Sequence, residues 1–423
     1  MLNALSATLH TTAPRLELQG KRLTGALIRH QCQRLWCWAA VAEYLHAVLA
    51  NRTRDQGSIA SSGGRNCKTR CLGTAPAGCD RPRYLPDVLR EENLLGAELE
   101  VSWEAIKNEI QQGRPPAFRV GIPNSRGHFG AISGWAIFDS LRFVEIMDPA
   151  GGLIRYIPYE TFIGDYPGWG AVSNLYSTQN SGGHVSILSE AAQFGIDWAN
   201  PTLFAGLTSA TFARSLSPED LKARAEKNLN LLLSMGIQGP RALKGINPNR
   251  LAISGPIEFV TIREALFGEL AYIRQEETVG FSVEAEKPLG ILELTPMGSL
   301  NSFTEAPGEQ GDRFVLAIRK ALTEAEGADA SFAILRTPHL YENALVEVDE
   351  DGRVPPNENA RVIPLEREFG FLKQDSEAQP ADATPEDLTL KSLAEAEPLR
   401  WADYFKQLSE TETKIAEEFT NES

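Results

Sequence analysis

The feature that most constrains the fold is a change in the spacing of apolar residues at Gly113-Arg114-Pro115-Pro116. Before it, apolar residues recur at three- and four-residue steps, which predicts helices from Cys37 onward, at Tyr84–Glu92 and at Trp103–Gln112. After it, short apolar runs bounded by turn residues predict antiparallel strands at 117–121, 128–138, 142–147 and 153–158. With a lead-in strand within 17–30, this order predicts an α+β domain covering residues 1–180.

A chain of 423 residues is longer than one core usually organises, so we expect more than one domain. The first boundary is predicted at Ser181-Gly182-Gly183. Beyond it, Ser217-Pro218-Glu219-Asp220 has the Ser cap, early Pro and acidic first turn of a helix start. This helix opens a second α+β domain, residues 181–373, with strands expected at 257–262, 279–284, 289–294, 314–318, 332–335, 344–348 and 362–365.

The C-terminal part, residues 374–423, carries 13 acidic and 4 basic side chains, whereas residues 1–180 carry 16 acidic and 19 basic ones. We expect a flexible linker over 374–387 and an acidic amphipathic helix over 388–418. The second domain shows no phosphate loop, metal spacing or second nucleophile–base pair. A binding or regulatory role, with a partner protein, is therefore expected for it.

Charge and hydropathy exclude two classes of partner. The net charge of −15 argues against nucleic acid, because phosphate binding needs a basic surface. No apolar run approaches the ~20 residues that span a bilayer, so no membrane partner is expected. Residues 1–15 lack a secretion signal. These features predict a cytoplasmic protein, or one exported by a route that needs no cleaved signal.

The segment from Gln31 to Ala40, QCQRLWCWAA, has the features of a thiol nucleophile. Cys37 lies where a loop becomes a helix, and the unpaired N–H groups of a first helical turn lower a thiol pKa. Gln31, six residues upstream, is the candidate second donor to an oxyanion, beside the backbone N–H of the cysteine. Gln33 is its rival for that role.

A thiolate needs a base, and His128 is the best placed of the six histidines. It opens a strand after a turn, whereas His30 is too close in sequence to Cys37 and His46 lies farther along the same helix. His10, His184 and His339 fall outside the predicted core. Asp148 ends the next strand, where it can orient the imidazole.

These motifs resemble a known family. Gln-x5-Cys-Trp-Ala-Ala, then His-Phe-Gly-Ala-Ile-x-Gly-Trp and Met-Asp-Pro, resemble the papain-like cysteine peptidases over about residues 20–180. The similarity is greatest to the compact bacterial branch with the AvrRpt-type effector peptidases, which also share a cysteine-bearing loop like that around Cys67 and Cys79. The resemblance implies a helical half packed on an antiparallel sheet half, with the cleft between them.

The same resemblance implies a thiol protease that cuts protein or peptide substrates through a thioester, without metal or cofactor. It assigns Cys37 as nucleophile, His128 as base, Asp148 as orienting residue in place of the plant asparagine, and Gln31 as oxyanion donor. Two alternatives remain: amide hydrolysis or acyl transfer to an amine at the same site, and a catalytically silent interaction protein. Self-processing near residues 180–200 is a further alternative.

The other four cysteines are Cys32, Cys67, Cys71 and Cys79, three of them in a polar loop over 51–83. They suit disulfides, a zinc site or reduced core thiols. A lone Cys-x3-Cys pair is a weak zinc signal. Without a secretion signal, reduced thiols are the default expectation.

Overall fold

The computed structural model describes two sets of residues. The first is 18–305, with gaps at 24, 51–52, 64–65, 69–74, 77, 122–126, 139, 165, 167–168, 180–186, 189–215, 267–268 and 286. The second comprises the segments 331–337, 342–348, 360–364, 399–400, 402–404 and 406. Helices and a large, mostly antiparallel sheet make this an α+β protein.

The first 180 residues follow the predicted order of helices and then strands, except that an unpredicted strand lies between the second and third predicted helices and an unpredicted short helix follows the last predicted strand. The elements are β1 (Leu18–Leu23), α1 (Cys37–Leu49), α2 (Gln56–Ala60), α3 (Leu85–Glu91), β2 (Leu95–Leu99), α4 (Trp103–Gln111), β3 (Ala117–Gly121), β4 (Gly127–Phe138), β5 (Leu141–Asp148), β6 (Leu153–Pro158), α5 (Tyr159–Gly164) and β7 (Val172–Thr178). In α1, eleven of thirteen residues are buried, as expected of a helix inside a core. In α4, Ser102 caps the first turn by accepting from the Ala105 N–H, a contact worth about 1 kcal/mol.

The later elements are β8 (Ile187–Leu188), α6 (Pro218–Ser234), β9 (Ala252–Leu266), β10 (Glu269–Glu284), β11 (Pro288–Leu294), β12 (Leu300–Glu305), β13 (Ser331–Thr337), β14 (Glu342–Val348), β15 (Arg361–Pro364) and β16 (Leu399–Arg400). The predicted helix start is confirmed: Ser217 accepts from the Asp220 N–H and Pro218 is the first helical residue.

One sheet runs through both halves of the chain. Its main path is β16-β15-β14-β13-β9-β10-β11-β12-β6-β5-β4-β3-β7-β2, with β1 and β8 paired beside β4. The halves meet where β12 pairs with β6, with Thr304 opposite Arg155 and Phe303 opposite Tyr156. Apolar clusters cover the sheet on both faces: α1 packs with Ala131 and Met147, and α4 packs on the other side.

Several predictions need correction or lie outside the described residues. Residues 51–83 are not all loop, because α2 lies within them. The acidic helix over 388–418 is wrong at Leu399–Arg400, which form a strand because they pair with β15. The strand predicted at 314–318, the boundary at 181–183 and the linker at 374–387 lie outside the described residues.

Within the part of the chain that the structure describes, no helix combines the length and the apolar character needed to cross a bilayer.

Candidate active site

Cys37 is the first residue of α1 and its side chain is almost fully enclosed, with 4% of the residue exposed. Its sulfur is not part of a disulfide. The first turn of α1 contains no acidic residue, so nothing there offsets the positive end of the helix dipole. This position favours the thiolate form of a cysteine.

A neighbouring loop fixes the residues on either side of Cys37. The indole nitrogen of Trp36 donates to the backbone carbonyl of Cys79 at 2.8 Å. That of Trp38 donates to the carbonyl of Arg81 at 3.1 Å. We call residues 79–81 the supporting loop. Its two hydrogen bonds fix the residues immediately before and after Cys37 at the start of α1.

The supporting loop is itself cross-linked. Cys67 and Cys79 form a disulfide, and Cys32, five residues before the nucleophile candidate, is also disulfide-bonded. The default expectation of reduced thiols is therefore wrong for these three cysteines. No group of three or more His, Cys, Asp or Glu side chains is arranged to hold a metal ion in the described parts of the chain.

The turn after Asp148 packs against the segment that carries Gln31. The backbone N–H of Gln31 donates to the carbonyl of Pro149 at 3.0 Å. At Gly152, where φ is +65°, an added Cβ would lie 2.9 Å from the backbone nitrogen of His30. Glycine is needed here both for this backbone conformation and for the close approach of the two segments of the chain.

The side-chain amide of Gln31 is buried and points to local carbonyls. It donates to Gln33 at 3.2 Å and also to Arg34. Both amide hydrogens have acceptors in this conformation, so a role at an oxyanion requires a change of rotamer. The assignment of Gln31 over Gln33 as the donor stays a prediction.

His128 connects the thiol with a carboxylate. Its Nε2 donates to Oδ1 of Asp148 at 2.7 Å, and its ring interacts with the side chain of Cys37. Because Nε2 is engaged by Asp148, Nδ1 is the nitrogen available to the sulfur. The indole of Trp169 stacks on the imidazole, with 4.7 Å between ring centroids and 17° between planes.

The pKa of His128 reflects two opposing effects. Burial disfavours the charged ring, but the charge and hydrogen bond of Asp148, and then those of Cys37, outweigh it and raise the pKa of His128 to about 9. Near neutral pH the imidazole is therefore charged. A thiolate beside it is the complementary partner.

Asp148 accepts four hydrogen bonds. Its Oδ1 accepts from His128 and from the Ala150 N–H (2.9 Å), and its Oδ2 accepts from Arg155 Nε (2.8 Å) and from the Tyr166 hydroxyl (2.7 Å). Burial alone would raise the pKa of Asp148, but the charges of His128 and Arg155 hold it well below its usual range. The carboxylate is ionised and has a fixed orientation.

The structure thus brings Cys37 of α1, His128 of β4 and Asp148 of β5 into one connected group. The imidazole of His46 instead contacts the buried carboxylate of Glu92 at 2.9 Å, which also accepts from Arg54 and Ser62. His10, His184 and His339 lie outside the described residues.

Sequence reasoning missed Arg155, Tyr166 and Trp169. Arg155 left a signal, because it is the one charged residue in the apolar strand Leu153–Pro158. A charge inside such a strand needs a buried partner. Tyr166 and Trp169 follow a short helix in a turn-rich stretch, where no periodicity indicates what they contact.

No protein-family model matches this chain, and no curated protein matches it.

Proposed function

We propose that the protein is a papain-like cysteine peptidase that hydrolyses peptide bonds through a thioester on Cys37. The observation that carries the proposal is the connected group of a helix-start thiol, an imidazole and an ionised carboxylate. A nucleophile, a base and a group that orients the base are the parts that acyl transfer to a side chain requires. The α+β fold is compatible with a papain-like arrangement of helical and sheet halves.

Each step of the proposed reaction uses one of these groups. The Cys37 thiolate attacks the scissile carbonyl carbon, and the developing oxyanion is stabilised by backbone N–H groups at the start of α1. The His128 imidazolium then gives its proton to the leaving amine as the C–N bond breaks. Water, deprotonated by His128, attacks the thioester, and the acid product leaves with the thiolate restored.

Asp148 keeps the imidazole in the tautomer that directs Nδ1 toward the sulfur. The pKa of His128, about 9, sets the upper limit of the active pH range, because the imidazolium must survive to protonate the amine. We expect activity to fall as the pH rises through about 9. The measurement is a pH profile of peptide hydrolysis.

The second half of the chain is an accessory module in this proposal. Its strands extend the sheet of the first half through the β6–β12 pair. A separate domain division at 1–180, 181–373 and 374–423 remains part of the proposal. Substrate access to Cys37 requires neighbouring groups to move, since only 4% of that residue is exposed.

The decisive experiment compares two buried histidines with carboxylate partners. His128→Gln and Cys37→Ala are expected to lower hydrolysis of a peptide library by at least about 10³-fold, as loss of a nucleophile or base does. His46→Gln, which breaks the contact between this histidine of α1 and Glu92 at the end of α3, is the matched control. It is expected to retain near wild-type turnover per folded molecule.

Iodoacetamide labelling separates the enzyme from a silent binding protein. A Cys37 thiolate paired with His128 is expected to react selectively at about pH 6 to 7, where ordinary thiols are protonated. Product masses with an added amine separate hydrolysis from transamidation, because transfer leaves an amine adduct. Full hydrolysis by the Cys37→Ala variant would refute the proposal.

A further inference from the structure

A row of polar residues crosses one face of the sheet from the second half of the chain to the candidate active site. Arg155 on β6 lies opposite Thr304 on β12. On the other side of β6, Leu153 lies opposite Asp148, and Arg155 follows Leu153 by two residues. Residues two apart on a strand, and direct cross-strand partners, share a face. Ser302, two residues before Thr304, lies opposite Glu293 on β11, which extends the row.

Arg155 makes a bridge within this row. Its Nε donates to Asp148 Oδ2 at 2.8 Å, while its Nη1 donates to Thr304 Oγ1 at 3.3 Å. The side chain is 11% exposed and Thr304 is buried. A guanidinium offers several donors in a fixed plane, so contacts on two sides restrict its orientation.

Glu293 adds a charge at the far end of the row. It forms a buried two-point ion pair with Arg336 of β13, at 2.7 and 2.9 Å. The charges of Glu293 and Arg155 also act on each other, and each favours the ionised form of the other. Arg155 therefore lies between two carboxylates, Asp148 from the first half and Glu293 from the second.

We propose that Arg155, hydrogen-bonded to Thr304 and balanced by the charge of Glu293, both from the second half, is a positioning residue that fixes Asp148 against His128. The inference rests on the proposed function of Cys37, His128 and Asp148. It gives the accessory module a specific role, because without β11 and β12 Arg155 would lose its Thr304 acceptor and its second balancing charge.

The sign of each charge gives the inference a distinctive test. The groups that act on His128 are Asp148 and Cys37 directly, and Arg155 and Tyr166 through Asp148. Removing the positive charge of Arg155 leaves the field at the imidazole more negative, which raises the pKa of His128. Removing the negative charge of Glu293 lowers it.

We would titrate the His128 imidazole by NMR in full-length protein labelled with ¹⁵N-histidine, assigned with the His128→Gln variant. Arg155→Met is expected to raise the pKa of His128 by roughly half a unit or more, and Glu293→Gln to lower it by roughly half a unit. Both lie below the ~1–3 units caused by a contacting opposite charge. The matched control is Glu109→Gln, which breaks another two-point Arg–Glu pair, with Arg114. It is expected to leave the titration unchanged.

Opposite shifts test whether both charges act on the imidazole. Whether Arg155 holds Asp148 in place is tested separately by a variant that keeps every charge, Thr304→Val. Shifts in the same direction, or none, in the two variants would overturn the inference, as would an equal shift in Glu109→Gln. The titration needs no substrate. If the wild-type protein had no peptidase activity, the proposed function would be refuted, but the titration would still test the role of Arg155.

A milder variant tests the hydrogen bond alone. Thr304→Val keeps every charge and nearly the same volume, and is expected to slow iodoacetamide alkylation of Cys37 about two- to fivefold at about pH 6, which is roughly one weak hydrogen bond. Thr178→Val, which removes another buried strand hydroxyl, bonded to Pro115, is the control. Equal alkylation rates in the two variants would contradict the bridge.

Discussion

Two buried carboxylates lie three residues apart on β5, and they belong to clusters of different character. Asp148 belongs to what we call the site cluster, with Cys37, His128, Arg155 and Tyr166. Glu145 contacts Arg22 (2.6 Å), Arg241 (2.8 Å) and Ser133 (2.6 Å), and we call these four residues the joint cluster. Because their positions differ by an odd number on one strand, the two carboxylates face opposite sides of the sheet.

The difference lies in the partners, since both carboxylates are buried and ionised with lowered pKa values. Glu145 contacts guanidinium groups and a hydroxyl, none of which exchanges a proton near neutral pH. Asp148 contacts an imidazole that also interacts with a thiol. A buried ion pair by itself indicates only a packed charge, while an imidazole next to a nucleophile supplies a proton that can move.

The largest expected effect comes from replacing the carboxylate of each cluster by the corresponding amide. Asp148→Asn is expected to lower peptide hydrolysis by about 10²- to 10⁴-fold, because the imidazole loses the partner that sets its tautomer. Glu145→Gln is expected to leave turnover per folded molecule nearly unchanged. It is expected to lower the free energy of unfolding by about 3–5 kcal/mol, because the buried Arg22 and the partly buried Arg241 lose their counter-charge.

Hydrolysis rates and urea unfolding, measured on both variants, provide the check. A large activity loss in Glu145→Gln without loss of stability would remove the distinction between the clusters.

The second prediction concerns the disulfide, which braces the site cluster through the supporting loop. Cys67→Ser with Cys79→Ser is expected to lower the free energy of unfolding by about 3 kcal/mol, the usual size for a loop of this length. Alkylation of Cys37 is also expected to become less selective, because the supporting loop fixes Trp36 through Cys79. Urea unfolding of wild type and of the double variant, both without reductant, measures the first effect. Equal stability of the two proteins would contradict it.

The third prediction concerns Glu305, which lies beside the joint cluster and accepts from the backbone N–H groups of Arg241 and Ala242. Burial first, and then the charge of Glu145, raise the pKa of Glu305 to about 7. The folded state therefore binds this proton more tightly than the unfolded state. Its stabilising contribution is full below about pH 4.5 and is lost as the pH rises through about 7.

Glu305→Gln removes this titration. We expect the free energy of unfolding of wild type to fall between about pH 5 and 8 more than that of the variant, by up to about 3 kcal/mol. Urea unfolding at the two pH values measures the difference. Identical pH dependence in the two proteins would show that Glu305 does not titrate in this range.

The smallest expected effect belongs to Trp169, whose indole stacks on His128. Trp169→Ala is expected to reduce hydrolysis about tenfold at most, the kinetic equivalent of one aromatic contact of roughly 0.5–1.5 kcal/mol. Trp169→Phe keeps a stacking ring and is expected to restore most of the rate. Equal losses in the two variants would point to a role for the indole N–H instead.

Local patterns predict much of the first half of the fold. The helix start at Cys37 and strands β3 to β6 are confirmed within one residue, because each is a strongly apolar segment and the strands end near Gly, Pro, Asp or Ser. In contrast, β12 gives no such signal: all six of its residues are buried, but Asn301, Ser302, Thr304 and Glu305 are polar. Their partners come from segments far away in sequence, which no local pattern reveals.

The same limit applies to the site. Cys37, His128 and Asp148 can be named from spacing and chemistry, since each has a distinct residue type at the end of an element. Arg155 cannot be connected to Asp148 without the β5–β6 register, nor to Thr304 without a strand pairing across 149 positions. The state of Cys32, Cys67 and Cys79 likewise depends on distances that the sequence leaves open.

The pairing of β12 with β6 has a consequence for synthesis on the ribosome. When about the first 200 residues have emerged, β6 is an open edge, and its hydrogen-bonding partner is still about a hundred residues from being made. Open strand edges invite pairing with other chains. The nascent protein therefore passes through a stage in which the open edge of its first half can pair with other chains, and a chaperone that covers this edge would prevent aggregation.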